Sequence, residues 1–374
     1  MNVEVNASKS TVGVEYNKSV NDESYVAYNQ RPETYIVPTV FAIIFLLGIF
    51  GNGILVKIFI KHKSMRTIPN TFLICLAIGD LLVMLGSVPF VSIIYTVESW
   101  PFGKFVCKLS EFLRDLSLCV TVFTLTMLSI DRYVAISSPY RIIRDNGNRA
   151  LTNLLVGLIW ITSFLFAMPS AYFAHILNID VKSRIINICY PFPYDFSSLY
   201  ARIIISIKFV LLYALPLFVI TSFYGLMAKS LLNASKEIDL NSFASKQREK
   251  RVKVAKMILI LVIIFAVCFL PNHVFLLWFY FSYPKSLQNY NIFWHVLKIS
   301  GYVLTFFNSC LNPLILVCIS HKFRSHFKAH FTSQRLHERR TVLRRKYSIH
   351  SSSSLKRNRL QSTKSTCASE TTKV

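Results

Sequence analysis

Seven long apolar segments limit what this chain can fold into more than any other feature. A helix needs roughly 20 apolar residues to cross a bilayer core about 30 Å thick. The chain meets that requirement near residues 36–60, 71–96, 104–136, 150–171, 200–232, 252–281 and 291–319. Short connections join these segments, and no soluble domain interrupts them. The sequence therefore predicts one all-α domain, a seven-transmembrane helix bundle.

The composition agrees with a membrane protein and argues against other classes. Of the 374 residues, 53% are hydrophobic and only 16% are charged, against about 25% charged in an ordinary soluble domain. The net charge of +24 does not indicate nucleic-acid binding, because the basic residues collect between the apolar segments and in the tail. Motifs for phosphate, metal or nucleophilic chemistry are missing from the sequence, so we do not expect an enzyme.

Lysines and arginines near the helix ends predict the orientation of the chain. They cluster in the connections at residues 61–66, 141–149 and 246–253, and such clusters stay on the cytoplasmic side of the plasma membrane. The amino terminus is then outside, where Asn6 and Asn17 open glycosylation motifs. The predicted parts are an extracellular glycosylated segment 1–35, the seven-helix domain 36–319, an amphipathic helix 320–331 and a disordered cytoplasmic tail 332–374.

Eight cysteines are present, and most lie inside apolar segments, where a buried thiol is usual. Only Cys107 and Cys189 fall in predicted external segments. We therefore expect these two residues to form a disulfide bond.

Polar and proline motifs recur in every predicted helix. In chain order they are Gly51-Asn52, Leu76 to Asp80, Cys107 with Asp131-Arg132-Tyr133, Trp160, Pro216 with Tyr224, Phe265 with Cys268 to Pro271, and Asn308 with Asn312-Pro313. In this ordered set the chain resembles the rhodopsin-like (class A) G-protein-coupled receptors over residues 36–330. The resemblance implies an external ligand and a heterotrimeric G protein inside the cell.

A transporter or channel is the alternative class. Such proteins concentrate charges at membrane depth along a pathway and show repeated halves. In this chain the charges collect at the helix ends, apart from Asp80.

Asp80 lies in the middle of a predicted helix, where an aspartate costs about 2.5–3.5 kcal/mol on insertion scales. It needs polar partners, for which the candidates are Asn52, Ser117, Thr121, Asn308 and Asn312. The resemblance implies an allosteric sodium ion at this place, and oxygen ligands suit such a cation. A purely structural polar network is the alternative. We expect no other cofactor.

The resemblance also implies a set of residues for activation and G-protein coupling. These are Asp131, Arg132, Tyr133, Tyr224, Phe265, Phe269, Pro271, Asn312 and Pro313. Arg132 would contact the G protein after helix 6 moves, whereas an ordinary ion pair with Asp131 at the membrane interface is the alternative. The chain departs from the family at Phe269, where tryptophan is usual, and at Leu316, where tyrosine is usual. The missing tyrosine hydroxyl removes one member of the usual helix 7 network.

Polar groups at the outer helix ends form the predicted ligand site: Glu98, Glu111, Arg114, Asp115, Arg202, Lys208, Asn272, His273, Lys298 and Tyr302. This mixed charge suits a peptide better than a small lipid. Arg114 stands where aminergic relatives have an aspartate, and Phe306 stands where opsins have the retinal lysine. Lys208 is the strongest single candidate for a ligand contact. The alternatives are an internal pair between Glu111 and Arg114 and core packing of His273.

A closer resemblance is to bombesin-type neuropeptide receptors, and within them to the invertebrate CCHamide receptors. It is carried by residues 31–35, 66–70, 97–103, 122–126, 270–274 and 308–313. It implies an amidated neuropeptide as ligand and a Gq-type G protein. Leu316 is shared with the bombesin-type group, whereas Phe279 and Tyr302 replace arginines of the vertebrate bombesin receptors, so we do not expect bombesin itself.

The tail carries many serines and threonines, which predict phosphorylation, and the resemblance implies receptor kinases and arrestin as its partners. Its ending, Thr372-Lys373-Val374, has the form that a PDZ protein captures.

Around Cys189, residues 185–194 are β-branched and aromatic and then rich in proline. They resemble the hairpin in the second external loop of peptide receptors, and this resemblance implies a hairpin held to helix 3 by the disulfide.

Overall fold

The computed structural model describes residues 30–137, 149–181, 184–193, 198–234, 243–319, 323–327 and 329. Within these residues, seven helices are long and apolar enough to cross a membrane, which confirms the predicted bundle. Six of them are α1 (Glu33–Lys61), α2 (Ile68–Gly86), α3 (Gly103–Ser137), α4 (Arg149–Phe173), α6 (Phe243–Phe281) and α7 (Ile292–Ile319). The helix between α4 and α6 is built in three parts.

That helix, α5, begins as Ser198–Phe209, passes through a π-helical segment at Val210–Ala214 and continues as Leu215–Ala234. Pro216 explains the widened turn. Proline has no N–H, and its ring clashes with the carbonyl four residues earlier, so the backbone before it cannot keep regular α geometry. The sequence predicted one continuous helix here and missed the π-helical segment.

Other prolines also shape the bundle. Pro169, Pro271 and Pro313 lie inside helices, and Pro38 lies inside α1 as well. Pro89 instead follows a break. Helix α2 ends at Gly86, and a short helix at Val88–Ile93 continues the second membrane span.

Helix α3 occupies the centre of the bundle, because it packs against α2, α4, α5 and α6. Helix α7 packs against α6, α1 and α2 and completes the bundle. Helices α6 and α7 approach closely at Gly301, where an added Cβ would lie 2.8 Å from the backbone nitrogen of Asn272. Many outward-facing residues of the spans are exposed and apolar, as expected of a surface that faces lipid. The polar side chains of α3 are thereby placed in the interior.

A β-hairpin follows α4. Strands β1 (His175–Val181) and β2 (Arg184–Tyr190) pair antiparallel, with Ile176 opposite Cys189. Cys189 forms the predicted disulfide with Cys107 at the start of α3, at a Cα–Cα distance of 5.6 Å. The backbone N–H of Trp100 also donates to the carbonyl of Asn187 at 2.8 Å. The predicted hairpin is confirmed, although β2 ends at Tyr190. It marks one end of the bundle, called the hairpin end below.

Some predicted features fall outside the described residues. They are the glycosylation sites Asn6 and Asn17, the phosphorylated tail and the ending Thr372-Lys373-Val374. Of the predicted amphipathic helix 320–331, residues 323–327 and 329 are described and are helical. The boundaries proposed for the extracellular segment, this helix and the tail stay predictions.

Candidate ligand-binding and coupling sites

A cavity of about 280 Å³ opens between α3, α5, α6 and α7, next to the residues that follow β2. We call it the central cavity. Seven of the ten predicted ligand contacts line it: Arg114, Asp115, Lys208, Asn272, His273, Lys298 and Tyr302. The helix packing around α3 therefore brings together side chains that are far apart in sequence.

Four charged side chains near this cavity form two ion pairs. Arg114 donates to both carboxylate oxygens of Glu111, and Lys208 Nζ lies 2.5 Å from Asp115 Oδ2. The hydroxyl of Ser170 also donates to Asp115 Oδ2. Glu111 and Asp115 are buried, with 7% and 5% exposure, and buried charges are retained only when they are paired. Each pair joins one positive and one negative side chain, so the four charges sum to zero.

These pairs change the interpretation of two predicted residues. The internal pair between Glu111 and Arg114 is present, and Glu111 supports Arg114 without lining the central cavity. Lys208 was the strongest single candidate for a ligand contact, and the structure also gives it an internal partner, since Asp115, one helical turn beyond Glu111, pairs with its ammonium. Lys208 still lines the cavity, so a ligand would meet an ammonium that is already oriented.

His273 combines the two roles that the sequence left open. It is buried at 4% exposure, and its ring packs 4.8 Å from that of Tyr213 and 5.7 Å from that of Phe209. It also lines the central cavity. Its Nε2 has no hydrogen-bond partner within the described part of the chain. The ring is thus part of the core and can offer a polar atom to a ligand.

Two predicted ligand contacts lie elsewhere. Arg202 donates from Nε to the carbonyl of Tyr280 at 2.9 Å and from Nη2 to that of Tyr283 at 3.1 Å. It thereby ties the start of α5 to the end of α6. Glu98 is exposed in the connection before α3. The structure does not bring either residue into the wall of the central cavity.

Aromatic residues were missed as cavity-lining groups. They come from the end of the hairpin, from α6 and from the connection to α7: Tyr190, Phe192, Phe275, Phe279, Tyr280 and Tyr290. The rings of Phe192 and Tyr280 lie 5.3 Å apart, and those of Phe275 and Phe279 lie 5.7 Å apart. The four-residue spacing of Phe275 and Phe279 was a usable signal. On an apolar helix, however, that spacing more often means core packing.

Asp80 is fully buried among polar groups. Asn312 donates to its Oδ2 at 2.8 Å, whereas the amide of Asn52 donates to the carbonyls of Gly48 and Ser309, both at 3.0 Å. Of the predicted network, only the amide of Asn312 is seen to donate a hydrogen bond directly to Asp80 among the described residues. The other predicted members line the inner part of the central cavity: Ser117, Thr121 and Asn308.

The oxygens in this network fit a small cation. Oδ1 of Asp80 and Oδ1 of Asn52 are buried, and neither has a hydrogen-bond partner among the described residues. A buried carboxylate oxygen without a donor is costly, and a sodium ion coordinated by oxygen atoms would remove that cost. Asp80 and the hydroxyl and amide oxygens beside it would hold such an ion.

The coupling residues lie at the end of the bundle opposite the hairpin. Arg132 is buried at 8% exposure and pairs with its neighbour Asp131, with an Nε to Oδ2 distance of 3.0 Å. The ring of Tyr133 packs 5.4 Å from that of Phe223. The ion pair that the sequence offered as the alternative for Arg132 is thus formed. It occupies Arg132 in this conformation and leaves its proposed role after movement of α6 untested.

Two hydrogen bonds hold α6 at this end. Arg251 donates from Nη1 to the carbonyl of Ala135 in α3 at 2.7 Å, and the hydroxyl of Tyr224 donates to the carbonyl of Ala255 at 2.8 Å. The sequence placed Tyr224 in a rearranging network, but it counted Arg251 only among the basic residues of a connection. The structure therefore describes a bundle in which α6 is closed against α3 and α5.

Residues between the two ends connect them. Phe269 lines the central cavity, and its ring lies 4.7 Å from that of Phe265, which is buried one turn earlier in α6, away from the hairpin. Pro271 lies just on the hairpin side of both. Pro313 packs so close to α1 that a Cβ at Gly51 would lie 2.9 Å from its Cγ. A displacement of α6 at the central cavity would move the rings of Phe265 and Phe269.

Comparison with known proteins decides the class. Residues 51–316 match the model of the family described as 7 transmembrane receptor (rhodopsin family). The chain belongs to this family. The predicted membership is confirmed, and the chain is a multi-pass membrane receptor rather than an enzyme, a transporter or a channel.

Three relatives narrow the resemblance. The neuropeptide CCHamide-1 receptor of Drosophila melanogaster is 44% identical over 307 residues, which cover 81% of this chain and 61% of that protein. A bombesin receptor of Bombina orientalis is 39% identical over 78% of this chain and 75% of its own length. The bombesin receptor subtype-3 of Ovis aries is 38% identical over 77% and 73%. The chain spans less than two thirds of the first relative and about three quarters of the others.

Proposed function

We propose that this chain is a plasma-membrane receptor for an extracellular neuropeptide of the CCHamide or bombesin type. It activates a heterotrimeric G protein, of the Gq type. One observation carries the proposal: the central cavity combines balanced buried ion pairs with aromatic walls, a surface for a peptide end that is partly polar and partly apolar. The names of the three relatives support the same ligand class.

The charge balance in the cavity favours an amidated peptide. Glu111 with Arg114 and Asp115 with Lys208 already neutralise one another. A free carboxylate would add an unbalanced negative charge at membrane depth, where an unpaired charge is costly. A carboxamide is neutral, donates to a carboxylate and accepts from an ammonium or guanidinium. Apolar side chains of the peptide would pack on Phe275, Phe279 and Tyr280.

Activation would proceed by a shift of populations. In the closed bundle, Arg251 and Tyr224 bind α6 to α3 and α5. A peptide that prefers the conformation in which α6 pivots near Pro271 moves the equilibrium toward it. The G protein then binds the opened cytoplasmic end beside Arg132 and, by linkage, raises the affinity for the peptide.

The same proposal assigns the two sides of the membrane and further partners. The amino terminus with Asn6 and Asn17 is extracellular and glycosylated, because Lys61 at the end of α1 and Lys63 and Arg66 after it lie on the side where basic residues stay. The tail is a substrate of receptor kinases and binds arrestin, and Val374 is captured by a PDZ protein.

A sodium ion at Asp80 would stabilise the closed bundle, so we expect sodium chloride to lower peptide affinity. The comparison salt is N-methylglucamine chloride at equal ionic strength, measured by equilibrium radioligand binding. Asp80→Asn keeps the volume and removes the charge, and its peptide affinity should be the same in both salts. A sodium effect of unchanged size in Asp80→Asn would refute the ion site and leave the structural network.

The ligand class is tested by a calcium assay in transfected cells against amidated neuropeptides, CCHamide-like peptides included. Each peptide is paired with its free-acid form as the matched control. We expect a calcium response to an amidated peptide and a potency at least about tenfold lower for the free acid, equivalent to about 1.4 kcal/mol. Silence of the whole panel with normal surface expression would contradict the ligand class. A response that persists in cells lacking Gq-type subunits would contradict the coupling.

A further inference from the structure

A second cavity, of about 310 Å³, lies between α3, α4 and α5. We call it the lateral cavity. Its wall is mainly apolar and includes Leu165, Phe166, Pro169, Ile204, Ile207 and Leu212. Its volume is at the lower end of the range for ligand pockets, roughly 300–1,000 Å³. None of these six residues lines the central cavity.

The lateral cavity opens toward the bilayer. Leu165, Phe166 and Ile207 line it and are exposed at 63%, 41% and 42% of their surface. All three lie inside membrane-spanning segments, where the medium around an exposed side chain is hydrocarbon. A molecule can therefore enter this cavity from the lipid.

The inner wall of the lateral cavity is polar, and its polar side chains are held by hydrogen bonds to one another. Asp115, Ser170 and Lys208 lie there, and Asp115 is buried at 5% exposure. Lys208 Nζ donates to Asp115 Oδ2 at 2.5 Å and to Ser170 Oγ at 3.4 Å. An ammonium has three N–H donors, so these two acceptors leave one N–H for a further acceptor.

The backbone at this wall is also unusual. The π-helical segment Val210–Ala214 begins two residues after Lys208, and its Leu212 lines the lateral cavity. Such segments are rare and occur frequently at functional sites. The widened turn follows from Pro216, and it places Leu212 in the wall of the cavity that the oriented ammonium of Lys208 also lines.

We propose that the lateral cavity binds a single-chain lipid amphiphile whose head group is uncharged and accepts a hydrogen bond. The acyl chain lies along the apolar wall between α4 and α5, and a head-group oxygen accepts from Lys208 Nζ. The head group is uncharged because Glu111, Arg114, Asp115 and Lys208 are already balanced. A further charge would be left without a partner at membrane depth. Asp115 and Lys208 line both cavities, so the lipid site shares this ion pair with the proposed peptide site.

Photolabelling tests the proposal directly. The purified full chain is placed in phosphatidylcholine nanodiscs with a monoacylglycerol that carries a diazirine in its acyl chain. After irradiation, the labelled peptides are identified by mass spectrometry. We expect labelling in α4 near Leu165 and in α5 between Ile204 and Leu212, and we expect unlabelled monoacylglycerol to compete for it.

Two substitutions on α5 form a matched pair. Ile207→Trp fills the mouth of the lateral cavity, whereas Ile203→Trp adds the same bulk one turn away, at a residue of similar exposure that does not line the cavity. We expect Ile207→Trp to reduce labelling at least tenfold and Ile203→Trp to leave it unchanged. Leu165→Trp narrows the opposite side of the mouth, and it decides the question if Ile207→Trp fails to fold.

Three results would overturn the proposal. The first is labelling that unlabelled monoacylglycerol does not reduce. The second is equal labelling of the wild type and the well-folded cavity-filling variant. The third is preferential labelling by a diazirine fatty acid or a diazirine sterol of the same concentration, since the first carries a charged head group and the second is not a single-chain lipid.

Discussion

Replacing Lys208 with methionine is expected to remove most of the receptor from the cell surface. The substitution leaves the buried carboxylate of Asp115 without its ion-pair partner. Breaking such a pair from one side costs about 3–5 kcal/mol, which is a large share of a domain's net stability. Surface expression is measured by antibody staining of intact cells. Lys229→Met, the same change at an exposed lysine of α5, is the matched control and should be expressed normally.

The double variant Asp115→Asn with Lys208→Met separates stability from ligand contact. It contains neither charge of the pair, and the asparagine can still bond Ser170, so surface expression should recover. Peptide potency should remain lower by roughly 10- to 100-fold, because the ammonium in the central cavity is gone. Normal expression of Lys208→Met alone would show that the pair is not structural. Wild-type potency in the double variant would show that Lys208 does not contact the peptide.

Arg251→Ala is expected to raise signalling in the absence of any peptide. The guanidinium of Arg251 holds α6 to the carbonyl of Ala135 in α3. A hydrogen bond to a charged group contributes about 1.5–3 kcal/mol, so its loss should shift the closed-to-open equilibrium by roughly 10- to 100-fold. The measurement is basal inositol phosphate accumulation, normalised to surface expression.

Lys253→Ala is the control for this prediction. Lys253 is a basic residue two positions away, but its side chain is 70% exposed and pairs with Glu249 on the same helix. Its loss should leave basal signalling unchanged, since exposed pairs of this kind contribute little. Equal basal signalling of Arg251→Ala and the wild type would contradict the role of Arg251 in holding α6 closed.

The fold was predictable because the bilayer imposes a length on every apolar segment. The third segment was predicted as 104–136, and α3 runs from Gly103 to Ser137, although Glu111, Arg114 and Asp115 interrupt it. The disulfide was predictable for a similar reason, since only Cys107 and Cys189 fall in predicted external segments. Such features depend on local composition and need no knowledge of how helices pack.

The partners of the charged residues were less predictable. Asp115 and Lys208 are 93 positions apart, and their pairing depends on the rotation of α3 and α5 about their axes. Arg251 reaches Ala135 for the same kind of reason, across 116 positions. By contrast, Glu111 and Arg114 are three residues apart on one helix, and their pair could be foreseen. The lateral cavity depends on gaps between three packed helices, which no local pattern records.

The central claim is that a peptide in the central cavity and a G protein at the opposite end stabilise the same open conformation. The most direct test measures peptide affinity of the purified receptor with and without a nucleotide-free Gq heterotrimer, together with peptide-stimulated nucleotide exchange on that G protein. We expect faster exchange and a peptide affinity that is raised by the G protein and lowered again by added guanine nucleotide. Peptide affinity that is the same in all three conditions, with no peptide-stimulated exchange, would contradict the central claim.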